Sequence, residues 1–191
     1  MESTMEIANS IRSYFMLLPE VQNCTIYGSI ANNTCDEYSD IDMELDISGC
    51  DNSLFALRVP EILGRLYPVI FFDYAPSLMP DSYVVSCAIS SDNPFLIVDI
   101  KCIATPHFTT VLPSDFPCDR AVHTLKVFVA NLKHWIRGAD CYDDIARMHK
   151  RVCGPSNPLA PDSMMKDVFI WLEENIENTH KRFLDSLHKF L

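Results

Sequence analysis

At 191 residues, 48% of them apolar and 21% charged, the chain has the size and balance of one globular domain or two small ones with a buried core. Its net charge of −11 argues against nucleic acid as the main partner, because such binding rests on Lys and Arg neutralising phosphates, and it leaves room for a cationic one. Eight cysteines (Cys24, Cys35, Cys50, Cys87, Cys102, Cys118, Cys141 and Cys153) form no Cys-x-x-Cys pair. They read as reduced thiols in a cytoplasmic protein. No apolar run approaches the roughly 18 residues that a membrane span requires, so no membrane partner is expected.

In chain order, residues 4–18 place Ile7, Ala8, Ile11, Phe15 and Leu18 at helical spacing before Pro19. Residues 24–28 predict a first strand, a loop follows, and 40–47 predict a second strand. The turn at 49–53 supplies a helix cap, and Leu54 to Leu66 reads as a helix broken or kinked at Pro60. Three further strands are expected over 68–74, 83–89 and 95–103, the last two joined as a hairpin through 90–94. Residues 105–118, with Pro106, Pro113 and Pro117, read as a linker or active-site loop. Beyond it the hydrophobic period becomes helical: 119–137, a weaker helix over 140–152, a Gly-Pro-rich breaker over 154–161, then a long helix capped by Asp162 and running to Leu187. The expected domains are therefore 1–104, a mixed β-sheet with helices on one side (α/β, or α+β), and 119–191, a helical bundle.

The chemistry concentrates between Tyr27 and Leu45. The tight Gly28-Ser29 pair is followed, after ten residues, by Asp40-Ile41-Asp42. Strand alternation sets Asp40, Asp42 and Glu44 on one face and Ile41, Met43 and Leu45 on the other. Two carboxylates side by side repel unless something positive lies between them. Asp99, alone in the apolar run Phe95–Ile103, is expensive to bury unless paired or metal-bound, which brings it beside Asp40 and Asp42 on a neighbouring strand. Carboxylate oxygens of this kind suit Mg²⁺, and Gly28 with Ser29 offers a turn where phosphate can approach. Ser39 fits the turn before Asp40 as well as a ligand contact. Lys101, on the face of Asp99, suits a phosphate or a salt bridge. Asp73, at the end of its run, reads as a solvated acid, and the histidines at 123, 134, 149, 180 and 188 show no metal-ligand spacing.

Gly28-Ser29, Asp40-Ile41-Asp42 and the later Asp99 resemble the signature of the DNA polymerase β-like nucleotidyltransferase superfamily, over about residues 24–103. Within it, Gly-Ser-Ile-Ala and Tyr-Ser-Asp-Ile-Asp resemble the small bacterial branch of kanamycin-type and lincosamide-type antibiotic nucleotidyltransferases and minimal nucleotidyltransferases. Many of those have Arg-Gly where this chain has Asn32-Asn33; Asn tolerates a left-handed backbone, but a positive charge near the phosphates is lost.

The resemblance implies a transferase that moves a nucleoside monophosphate, AMP from ATP or its counterpart from another NTP, to a hydroxyl of a small molecule such as an aminoglycoside or lincosamide. Asp40, Asp42 and Asp99 would hold two Mg²⁺, with Asp99 either bridging a metal or taking the acceptor's proton. Gly28, Ser29, Ser39 and Lys101 would meet the nucleotide, and Glu44 would border the acceptor. The resemblance also implies a homodimer, and an acid at Asp140, Asp143 or Asp144 acting as base; the residues themselves read first as helix-start acids favoured by the dipole. Lys126, Lys133 and Arg137 form a basic stripe, and Arg182 with His188 resembles the Arg-x-His pattern of ribonuclease partners of the minimal enzymes. The alternatives are transfer to a protein or RNA end in a toxin–antitoxin setting, a nucleotide-binding regulatory module without turnover, and an interaction protein that dimerises through its helices.

Overall fold

The computed structural model describes residues 2–75, 79, 81–155 and 159–191. The middle of the expected 154–161 breaker, 156–158, lies outside the described residues. The chain divides into two compact units, Met1–Ser90 with Leu96–Cys118, and Ser91–Phe95 with Asp119–Leu191.

The first unit opens with α1 (Thr4–Phe15), whose Ser3 and Glu6 form a reciprocal capping box. Then follow β1 (Asn23–Tyr27), α2 (Gly28–Ala31), β2 (Ile41–Asp46), α3 (Asn52–Gly64), β3 (Phe71–Tyr74), β4 (Ser82–Ala88) and β5 (Ile97–Ile103). The strands form one mixed sheet in the order β1-β2-β5-β4-β3. β2 and β5 run parallel, and the other neighbours are antiparallel.

Alternation decides which face is buried. Ile41, Met43 and Leu45 of β2 and Val98, Ile100 and Cys102 of β5 are fully buried. They form one core with Ile7, Ala8, Ile11 and Phe15 of α1 and Phe55, Ala56, Val59, Ile62 and Leu63 of α3. Each Leu- or Ile-sized side chain so buried contributes about 1.5–3 kcal/mol, which fixes the register and turns the intervening acids to the opposite face. The expected helices on one side of a mixed sheet are what this unit shows.

Four local expectations are corrected. The segment after Gly28 is a short helix, α2, rather than a loop. α3 starts at Asn52 and runs through Pro60 without a break, its N-cap Asp51 accepting from Leu54 N–H. The strand expected from Pro68 begins only at Phe71. Asp73 is 4% exposed rather than solvated, because it lies inside β3, in register with the fully buried Ser86 of β4.

Residues 105–118 are fastened to the first unit. Asn52 N–H donates to Phe108 C=O, Thr110 donates through its N–H and Oγ1 to Asp51 Oδ2, and the Thr110 and Val111 N–H groups donate to Ser53 Oγ. Phe116 ends the strap in the core, stacked on Tyr83 at 5.3 Å and edge-on to Tyr74 at 4.9 Å. All eight cysteines are free. Burial pushes the Cys24 thiol up to about 11 and raises those of Cys87 and Cys102, so these behave as inert core groups.

The second unit carries α4 (Arg120–Ile136), α5 (Tyr142–Cys153), α6 (Pro161–Asn175) and α7 (Lys181–Leu187). The long helix expected after the breaker is thus two helices. Asn175 turns its side-chain amide back onto Trp171 C=O, and Ile176 adopts extended backbone. Asn competes for its own backbone in this way, which makes it a poor helix interior. Asp162 is not the cap either: Ala160 is, with Pro161 at the first helical position and Asp162 in the first turn. No described helix is long and apolar enough to cross a membrane.

Candidate active site

The sheet face opposite the core carries the acids. β2 and β5 pair in parallel with Asp42 opposite Asp99 and Glu44 opposite Lys101. Asp40, one step before β2, joins them: Asp40, Asp42 and Asp99 are each half-buried, and each offers an oxygen within 4.8 Å of the others'. At an effective dielectric near 20, unit charges at such a distance repel by about 3–4 kcal/mol per pair, less where solvent enters. The convergence anticipated for these three residues is present.

Gly28 is fixed by its neighbour. Its φ is +68°, and a Cβ there would lie 2.1 Å from Asp42 Oδ2 and 3.1 Å from its Cγ. A larger residue would force the Asp42 carboxylate aside, so glycine leaves that metal-ligand candidate in place as well as suiting the turn. Ser29, next on α2, has a buried Oγ with no hydrogen-bond partner among the described residues. A buried hydroxyl left so is costly. Asn33 adopts φ +54°, the left-handed turn expected of it.

Ser39 is 2% exposed. Its Oγ donates to Asp36 Oδ1 at 2.8 Å and accepts from Asp36 N–H at 3.0 Å, closing the turn that delivers Asp40. Lys101 Nζ lies 2.8 Å from Glu44 Oε2, the salt-bridge arrangement, so Glu44 adds no uncompensated charge to the cluster.

Tyr27 was not expected in this group. It pairs in register with Asp42, and its phenol is pushed up to about 12 by burial and then by the carboxylates of Asp42, Asp99, Glu44 and Asp40. It therefore stays a neutral hydroxyl beside the acids. Ser86 was also missed: fully buried on β4 opposite Asp99, its Oγ donates to Asp99 Oδ1. The only sequence signal for either is strand register, which pairs Tyr27 with Asp42 and Ser86 with Asp99 only once the strand order is known.

In the helical unit, Asp143 and Asp144 occupy the first turn of α5, where the helix dipole favours acids, and Asp144 pairs with Arg147 at 3.0 Å. Lys126 and Lys133 lie on α4 and Arg137 is its C-cap. Arg182 reaches Asp92 at 3.7 Å, whereas the His188 ring sits edge-on to Phe169 at 5.6 Å, so the two residues engage different neighbours. His149 is buried against Asp167, 3.0 Å from its Oδ2; no described histidine belongs to a metal-type cluster.

No protein-family model and no curated protein matches this sequence. Among solved structures, the polymerase core of TRAMP, an RNA surveillance complex, aligns over 100% of this chain and 58% of its own at 12% identity, with a TM-score of 0.38. The GLD-2/RNP-8 complex aligns over 94% of this chain and 80% of its own at 13% identity, with a TM-score of 0.35. The chain spans 58% of the length of the first of these.

Proposed function

We propose that this chain is a Mg²⁺-dependent nucleotidyltransferase that moves a nucleoside monophosphate, AMP from ATP, onto a hydroxyl of a small-molecule acceptor of the aminoglycoside or lincosamide kind. The observation that carries this reading is the meeting of Asp40, Asp42 and Asp99 within 4.8 Å, beside a glycine whose missing side chain leaves the Asp42 carboxylate in place. Three half-buried carboxylates are a fitting donor set for hard divalent cations. When bound, such a metal pair neutralises the triphosphate and aligns attacking and leaving oxygens.

The protein's own residues do the rest. Asp40 and Asp42, presented from the start of a core strand, hold their oxygens rigidly in place. Ser29 gives its hydroxyl to a phosphate oxygen, and Gly28 leaves the carboxylate of Asp42 room against the backbone. Asp99 completes the cation site or takes the acceptor's proton. Tyr27 supplies a neutral donor at the edge of the acids. The net charge of −11 suits a cationic acceptor.

The test is Mg²⁺-dependent pyrophosphate release from each of the four nucleoside triphosphates, with aminoglycosides, lincosamides, small proteins and RNA 3′ ends as acceptors. Release that needs a cationic small molecule and is lost in Asp40→Asn supports the reading. Release only with protein or RNA moves the acceptor to that class, and nucleotide binding without turnover for any acceptor would make the chain a regulatory module.

A further inference from the structure

We infer that Ser86 is a positioning residue for Asp99 and thereby sets the affinity of the Asp40–Asp42–Asp99 cluster for a divalent cation; this rests on the reading above. The strand registers place Tyr27, Asp42, Asp99, Ser86 and Asp73 in one row across the sheet. Asp99 therefore stands between a like charge on β2 and a hydroxyl on β4. Without a tether, repulsion from Asp42 favours rotamers that carry the Asp99 carboxylate away. The Ser86 Oγ donates to Asp99 Oδ1, a charge-assisted bond that selects one rotamer. With that bond made, the three acids still offer oxygens within 4.8 Å of one another. Ser86 itself is fully buried, so water does not compete for its hydroxyl, and in this structure that hydroxyl donates to Asp99.

Groups that orient a metal ligand from behind change cation affinity by roughly 10–100-fold when removed. The experiment titrates the full chain with Mn²⁺, following free Mn²⁺ by electron paramagnetic resonance, in the parent, Ser86→Ala, Ser86→Thr and Asp42→Asn, with melting temperature measured on each. The expected result is a Ser86→Ala affinity at least about 10-fold weaker in a variant that still melts cooperatively, with Ser86→Thr near the parent. Parent-like affinity in Ser86→Ala, or a folded Ser86→Thr as weak as alanine, overturns the inference. Should alanine not fold, Ser86→Cys keeps the volume with a weak donor, and parent-like affinity there overturns it equally. A parent that binds while Asp42→Asn does not leaves the wider reading standing whatever Ser86 does; a parent that takes up no Mn²⁺ overturns both.

Discussion

Gly28 and Asp42 constrain each other, and the constraint is measurable as a coupling. Gly28→Ala adds a left-handed penalty of about 1–2 kcal/mol to a clash with the Asp42 carboxylate, whose oxygen would lie 2.1 Å from the new methyl. In an Asp42→Ala background the clashing carboxylate is gone and only the backbone penalty remains. Urea unfolding of the four proteins should therefore give a coupling of about 1 kcal/mol or more, and additivity would mean that the turn relaxes away from Asp42. The acids carry the opposite sign. Because three like charges are held together without a cation, Asp40→Asn should raise the metal-free melting temperature by a few degrees, about 1 kcal/mol, while abolishing Mg²⁺-dependent turnover. A lower melting temperature would show that Asp40 is structurally required.

At the scale of elements, Asp51 ties α3 to the strap over residues 105–118. Burial alone would push its carboxyl up, but hydrogen bonds from Ser53, Thr110 and Leu54 outweigh it and hold the carboxyl below the ordinary value. A depressed folded value means stability that is fully present above the unfolded value of about 4 and lost as pH falls through the lower folded one. Asp51→Ala should cost about 0.5–2 kcal/mol at neutral pH, the usual worth of an N-cap. It should also flatten the loss of stability below about pH 4, read by chemical denaturation across pH. Much at this scale was legible in sequence: the alternation of Ile41, Met43 and Leu45 and the spacing of Ile7, Ala8, Ile11 and Phe15 state the core directly, because period and burial are the same fact. What was not legible depends on partners distant in sequence. α2 is too short to show a period, the split at Ile176 hides inside a helical pattern, and Asp73 looks solvated until β4 is laid beside it.

For the whole molecule, the meeting of Asp40, Asp42 and Asp99 could be anticipated from sequence because strand alternation and the cost of an unpaired carboxylate restrict where they can go. Ser86 and Tyr27 could not, since each enters through the strand order β1-β2-β5-β4-β3, which no local pattern encodes. The grouping of Ser91–Phe95 with Asp119–Leu191 has no signal in the local sequence pattern. If the acid face is a cation and nucleotide site, Mg²⁺ with the preferred triphosphate should stabilise the native chain by about 2.7 kcal/mol at 100 times its dissociation constant, seen as a saturable rise in melting temperature. The most direct measurement is transfer of label from the α-phosphate of a nucleoside triphosphate to an acceptor hydroxyl in the presence of Mg²⁺, by the parent and by Asp42→Asn. The account predicts labelled acceptor from the parent and a rate at least about 100-fold lower from the variant; equal rates from the two, or no labelled acceptor of any class from the parent, would contradict it.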